Sequence, residues 1–172
     1  MHLPQTKASG GRVLSLRRRD VLFLSLAAAV IAFDQLTKHL VRAYIDPGDT
    51  FPQDWAVRLV NVSNTGAAFG ILQNQGAFLV ITSLIGVVAI LLYYVYPPFE
   101  YWPMTAALAL VLGGAIGNLS DRIRLGEVTD FIDFPRYPAF NVADSSIVVG
   151  VAVLAGLLAL GLPHRTPPKG EP

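Results

Sequence analysis

From Ala77 to Tyr96 the chain is almost free of polar residues. At about 1.5 Å of rise per residue, about 20 helical residues cross a hydrocarbon core about 30 Å thick. Such a run restricts the chain to a helix that spans a bilayer or lies wholly inside a large core. A chain of 172 residues has no core of that size to offer, because 53% of it is hydrophobic and only 15% is charged. Soluble domains carry about 25% charged residues. Mean hydropathy is +0.50, and further apolar runs predict a polytopic membrane protein. The spans fall at Val21–Val41, Ala77–Tyr96, about Pro103–Leu119 and about Asn141–Leu162.

Several function classes drop out early. A net charge of +1 provides no basic field for nucleic acid. The chain has no cysteine, which removes disulfides and thiolate chemistry. His2, His39 and His164 are scattered and form no ligand cluster, so no metal site is expected.

In chain order, residues 1–19 read as a disordered cytoplasmic tail, 20–163 as one four-helix membrane domain and 164–172 as a second cytoplasmic tail. Arg17, Arg18 and Arg19 before an apolar core also describe a signal peptide, with Ala27, Ala28 and Ala29 as small residues for cleavage. The apolar pattern continues past them to Phe33, which favours a retained anchor. Asp46-Pro47-Gly48-Asp49 is turn chemistry. Between Phe51 and Phe69, Trp55, Val57, Leu59 and Asn61 alternate with Ala56, Arg58, Val60 and Val62, a period of short strands lying on the membrane. Tyr93, Tyr94 and Tyr96 form an aromatic belt before Pro97-Pro98. Gly113, Gly114 and Gly117 would let neighbouring helices approach closely, and 121–139 reads as a polar loop. Four spans put both tails on one side, and the triple arginine assigns that side to the cytoplasm. The loop between the second and third spans carries no basic residue, so the fit to that rule is imperfect.

Ionisable groups in so apolar a chain call for a reason. Asn118, Asp121 and Arg122 share one helical face by their i, i+3, i+4 spacing, as a helix end held by an Asp121–Arg122 network or as support for a site. Asp34 and Lys38, at i, i+4, either neutralise each other or serve function. Asn64 is either a turn residue or a group that holds a substrate backbone. Asp130 alone reads as a solvated loop carboxylate like Asp133. Asn141 and Asp144 alone read as an N-cap and its N3 partner. Asp130 and Asp144 together allow more. Two carboxylates meeting at a low-dielectric boundary resist joint ionisation and share a proton, which is the requirement of aspartic proteolysis. A proton or ion relay through Asp34, Asp130 and Asp144, and a non-catalytic assembly subunit, are the competing readings. A relay predicts charges spread through the membrane depth, whereas these gather near one face.

Five motifs then occur in order: Phe33-Asp34-Gln35-Leu36-Thr37-Lys38, Asn64-Thr65-Gly66-Ala67-Ala68-Phe69, Gly117-Asn118-Leu119-Ser120-Asp121-Arg122, Gly126-Glu127-Val128-Thr129-Asp130-Phe131 and Phe140-Asn141-Val142-Ala143-Asp144-Ser145. Together they resemble the lipoprotein signal peptidase (signal peptidase II) family. The resemblance implies an all-α polytopic membrane protein, four transmembrane helices with a small β-like cradle on the outer face. It implies an aspartic endopeptidase that cuts prolipoproteins before a diacylglyceryl-modified cysteine, with Asp130 and Asp144 catalytic. By the same matching, Asp34, Lys38, Asn64, Asn118, Asp121, Arg122 and Asn141 would support the dyad or position substrate. The resemblance implies no metal and no organic cofactor; the expected partners are that substrate and membrane lipid, with the enzyme a monomer in the bacterial cell membrane.

Overall fold

The first helix, α1 (Arg18–Tyr44), buries Phe23, Ala27, Val30, Asp34, Lys38 and Val41. Steps of three and four residues put all six on one stripe. The stripe begins apolar and turns ionisable in its second half, so burying it on a partner also buries Asp34 and Lys38. Asp20 closes the first turn by accepting from the Arg17 backbone N–H at 3.0 Å. Past Tyr44, Ile45 is extended and Pro47 and Gly48 (φ 90°) turn the chain away. The computed structural model describes residues 17–66, 75–97 and 101–161. Most of both expected tails, and Ala67–Phe69 of the expected strand segment, lie outside the described residues.

Three more helices follow: α2 (Gly76–Val95), α3 (Trp102–Leu125) and α4 (Val142–Ala159). All four are long and apolar enough to cross a membrane. They differ in what they bury. Leu79 is the one buried residue of α2, whereas α3 buries twelve and packs against each of the other three helices. Close approach depends on its glycines, as expected. A Cβ on Gly113 would stand 2.7 Å from Val30 Cβ on α1, and one on Gly114 would overlap the Ala143 carbonyl of α4. Gly150 on α4 returns the contact, since its Cβ would stand 2.7 Å from the Ala107 carbonyl of α3.

The 121–139 stretch is not a loop. The α3 helix runs on to Leu125 and ends where Gly126 takes φ 81°, its N–H bonding Arg122 O at 3.1 Å. The helix continues because Asn118 and Asp121 face inward and find partners there. The remaining residues form a hairpin, β3 (Val128–Phe134) and β4 (Tyr137–Phe140). It joins β1 (Thr50–Phe51) and β2 (Arg58–Asn64) in an antiparallel sheet of order β1-β2-β3-β4. Of the alternating residues Trp55 to Val62, those from Arg58 onward lie in β2, whereas Trp55, Ala56 and Val57 precede the strand. The central register pairs Val62 with Asp130 and Asn64 with Val128. Asp133, expected to be solvated, is ion-paired across the sheet with Arg58. The sheet thereby lays Asp130 beside Asn64, against the ends of α1 and α3 and the start of α4.

Candidate active site

Lys38 is fully buried, and its ammonium has three protons to place. They go to Asp34 Oδ2 at 2.9 Å, Asp121 Oδ2 at 3.1 Å and Asn118 Oδ1 at 2.8 Å. A buried ammonium persists only when paired and fully hydrogen-bonded. The carboxylates are tied down in turn. Asp34 Oδ1 accepts the backbone N–H of Ala143 at 2.9 Å, so a side chain of α1 caps an orphan amide in the first turn of α4. Asp121 Oδ2 accepts weakly from the Thr129 backbone N–H at 3.4 Å, one residue before Asp130. Gly117 leaves the room this needs, since a Cβ there would stand 2.7 Å from Asp34 Oδ2.

Two asparagines carry the network from this ion cluster to the other two carboxylates. Asn118 accepts from Lys38 and donates from Nδ2 to Asp144 Oδ1 at 2.7 Å. Asn141 donates from Nδ2 to Asp130 Oδ1 at 2.6 Å and to Asn118 Oδ1 at 3.2 Å. Its Oδ1 accepts the Asp144 backbone N–H at 2.9 Å, and its own N–H reaches Asp144 Oδ2 at 3.3 Å. The capping box is thus present in full. Capping does not exclude a link to Asp130, because the same Asn141 caps α4, anchors Asp144 and holds Asp130.

Asn64 completes the cage. Its Oδ1 makes a turn by accepting from Gly66 N–H at 2.9 Å, and its Nδ2 donates to Asp130 Oδ2 at 2.9 Å. Asn64 is thus a turn residue, as one of its two readings expects, and the free half of its amide holds Asp130. Both Asp130 oxygens therefore accept from neutral amides. Burial at 3% exposure raises its pKa. The Asn64 and Asn141 bonds and the more distant Lys38 charge lower it, the Asp144 charge raises it, and it settles at about 6. Asp144 is only half-buried, which makes it the more open member of the pair.

The network departs from expectation at Asp121 and Arg122. Asp121 pairs with Lys38, while Arg122 reaches Gly66 O at 3.4 Å from its Nη2. Adjacent helical residues do not face each other, so one serves the interior and the other the sheet side. Sequence reasoning assigns no partner to Gln35, whose Nε2 lies 3.0 Å from Asp121 Oδ1, 3.2 Å from Asp34 Oδ2 and 3.2 Å from Gly117 O. It also misses Arg42, which donates to Thr129 Oγ1 at 2.8 Å. A signal for Gln35 exists, since an amide inside an apolar span must find partners. Arg42, at the end of the span, gives none. No buried side-chain polar atom among the described residues lacks a hydrogen-bond partner.

Such a site offers two carboxylates on one amide scaffold, one sunk in the sheet and one partly open, at the end of a membrane bundle. Known proteins share the sequence and the fold. A sequence model of the family described as signal peptidase (SPase) II matches residues 26–160. A lipoprotein signal peptidase of Dehalococcoides mccartyi is 42% identical over 153 residues, 87% of this chain and 94% of the relative. One from Caldanaerobacter subterraneus is 48% identical over 136 residues, 77% of this chain and 92% of the relative. A solved bacterial membrane enzyme superposes with a TM-score of 0.76 at 32% identity, covering 87% of this chain and 93% of its own. The chain belongs to the signal peptidase II family.

Proposed function

We propose that Asp130 and Asp144 are the catalytic dyad of this membrane peptidase and that they work by sharing one proton. The chain removes signal peptides from bacterial prolipoproteins. In the proposed reaction, the ionised carboxylate takes a proton from a water as that water attacks the scissile carbonyl. The protonated carboxylate polarises the carbonyl oxygen, then returns a proton towards the departing amine. The observation that carries this reading is Asn141, which hydrogen-bonds both carboxylates at once. Asp130, with a pKa of about 6, holds or releases a proton near neutral pH.

The other site residues then act through the dyad. Asn118, Asn141 and Asn64 orient the two carboxylates, and Asp34, Lys38 and Asp121 lock α1, α3 and α4 around them. Arg122, on the sheet side, is left to position substrate. The substrate is the diacylglyceryl-modified form, entering sideways from the bilayer with its acyl chains along apolar helix surfaces and the bond before the lipidated cysteine at the dyad. Residues 20–163 form the peptidase domain of a monomer. Both tails are cytoplasmic, and the dyad lies near the outer face.

Purified enzyme given diacylglyceryl-modified and unmodified prolipoprotein tests the reading. Cleavage is expected only of the modified substrate, and it is lost in Asp130→Asn and in Asp144→Asn while the protein still inserts. Normal cutting by either variant removes the dyad, and equal cutting of both substrates removes the lipid requirement.

A further inference from the structure

A cavity of about 260 Å³ lies between the starts of α1 and α3, lined by Arg18, Arg19, Leu22, Tyr101, Trp102 and Thr105. About 24 Å of helix separates Arg18 from Asp34 on α1, and the same separates Trp102 from Asn118 on α3. The cavity and the carboxylates therefore occupy opposite ends of the bundle, and the peptidase chemistry makes no use of the cavity.

Its walls combine a fixed cation with an open one. Arg19 donates to the Tyr94 carbonyl, and its guanidinium stands 4.5 Å above the Tyr94 ring. That ring is stacked on Phe23 at 3.7 Å, so Arg19 is held by packing. Arg18 is exposed and makes no ion pair among the described residues. The adjacent carboxylate, Asp20, is committed elsewhere, accepting from the Tyr94 hydroxyl and the Arg17 N–H. Trp102 is 71% exposed at the cavity wall; Val21 is exposed on α1 about one turn on from Arg18, and Leu24 is exposed farther round the same helix. Aromatic side chains of this kind settle at the level of lipid headgroups, and exposed aliphatic residues along a span lie against acyl chains.

We propose that this cavity binds the headgroup of an anionic phospholipid, its phosphate between Arg18 and Arg19 and its acyl chains along the exposed face of α1. At about 30 Å³ per water, the volume equals roughly nine waters, room for a phosphate with a small polar substituent. Basic pockets between transmembrane helices suit anionic headgroups. A soluble phosphate shares the chemistry but has no use for the exposed Val21, Leu24 and Trp102.

The chain has two tryptophans, so Trp55→Phe leaves Trp102 as a single reporter in the cavity wall. The full-length protein in mixed micelles is titrated with phosphatidylglycerol or phosphatidylcholine carrying brominated acyl chains, and quenching of Trp102 is read. Phosphatidylglycerol is expected to reach half-quenching at a several-fold lower mole fraction. Arg18→Gln is expected to reduce that preference about fivefold, the effect of one basic residue at a lipid surface, with prolipoprotein cleavage unchanged. Arg17→Gln removes the same charge outside the cavity and is expected to keep the preference. Equal quenching by both lipids overturns the proposal, as does loss of preference in Arg17→Gln to the same degree. Reversal of the quenching by millimolar inorganic phosphate would assign the cavity to a soluble ligand instead.

Discussion

Four carboxylates sit in one hydrogen-bonded network, and they fall into two kinds. Asp34 and Asp121 share the Lys38 ammonium. Asp130 and Asp144 touch asparagine amides and backbone N–H groups and, among the described residues, make no ion pair. The two kinds are joined by Asn118, which accepts from Lys38 and donates to Asp144. A carboxylate beside a buried ammonium serves as its counter-ion, and removing either partner leaves a buried charge unpaired. One that meets only neutral donors in a buried place keeps its proton negotiable. The first kind builds the end of the bundle, and the second is the proposed site of proton transfer. Charge alone does not separate the two kinds; what surrounds the charge does.

The sharpest way to break that comparison is to neutralise one carboxylate of each kind. Asp130→Asn or Asp144→Asn is expected to lower cleavage of lipidated substrate by at least about 10³-fold, within the span of general acid–base catalysis and beyond. At about pH 4 the thermal unfolding midpoint should change little. Lys38→Met does the reverse, destabilising the protein by about 3–5 kcal/mol because two carboxylates lose their cation. Adding Asp34→Asn to Lys38→Met should recover part of that loss in the same unfolding assay. No recovery would mean that Lys38 acts other than by pairing.

A third expectation concerns the proton itself. Asp130 has a folded pKa of about 6, above its ordinary value of 3.8. A raised acid binds more protons folded than unfolded, so its contribution to stability is greatest below about pH 4 and is lost as pH rises through about 6. Asp130→Asn should therefore be more favourable to stability at about pH 8 than at about pH 4, by up to about 3 kcal/mol from a shift of roughly two units. An equal effect at both pH values would place the proton elsewhere. Asn64→Ala removes a bond to the charged form of Asp130, so the alkaline limb of the pH–rate profile, where the pair loses its shared proton, should move upward, to a value that belongs to the pair. The smallest effect is expected at Arg58→Gln. Its partner Asp133 is bound on the part-buried side of the sheet, and the loss should be about 0.5–1 kcal/mol with cleavage retained.

Much of this architecture is legible in the amino-acid order alone. Long apolar runs mark all four spans, and the alternation from Trp55 to Val62 marks a strand that in the structure begins at Arg58. The β3–β4 hairpin is not legible, because Val128, Thr129, Asp130 and Phe131 are all buried. A strand covered on both faces shows no alternation to read. The end of α3 is misplaced for a related reason. Asp121, Arg122 and Arg124 look like loop residues until Lys38, far away in the chain, supplies the partner that keeps Asp121 inside the helix. Each of the proposed site residues can be named from the sequence. That Asn141 both caps α4 and bonds Asp130 cannot, since it depends on a strand whose register is set by Asn64 and Val62.

Infrared difference spectroscopy of the carboxyl groups tests the central claim most directly. Near pH 5, ordinary aspartates are ionised, and a pair sharing a proton gives one protonated-carboxyl band. That band should titrate away with a midpoint of about 6. It should vanish in Asp130→Asn, shift to a lower midpoint in Asp144→Asn as the neighbouring charge is lost, and persist unchanged in Asp34→Asn. A band that survives in Asp130→Asn, or is abolished by Asp34→Asn alone, would contradict the division between the two kinds of carboxylate.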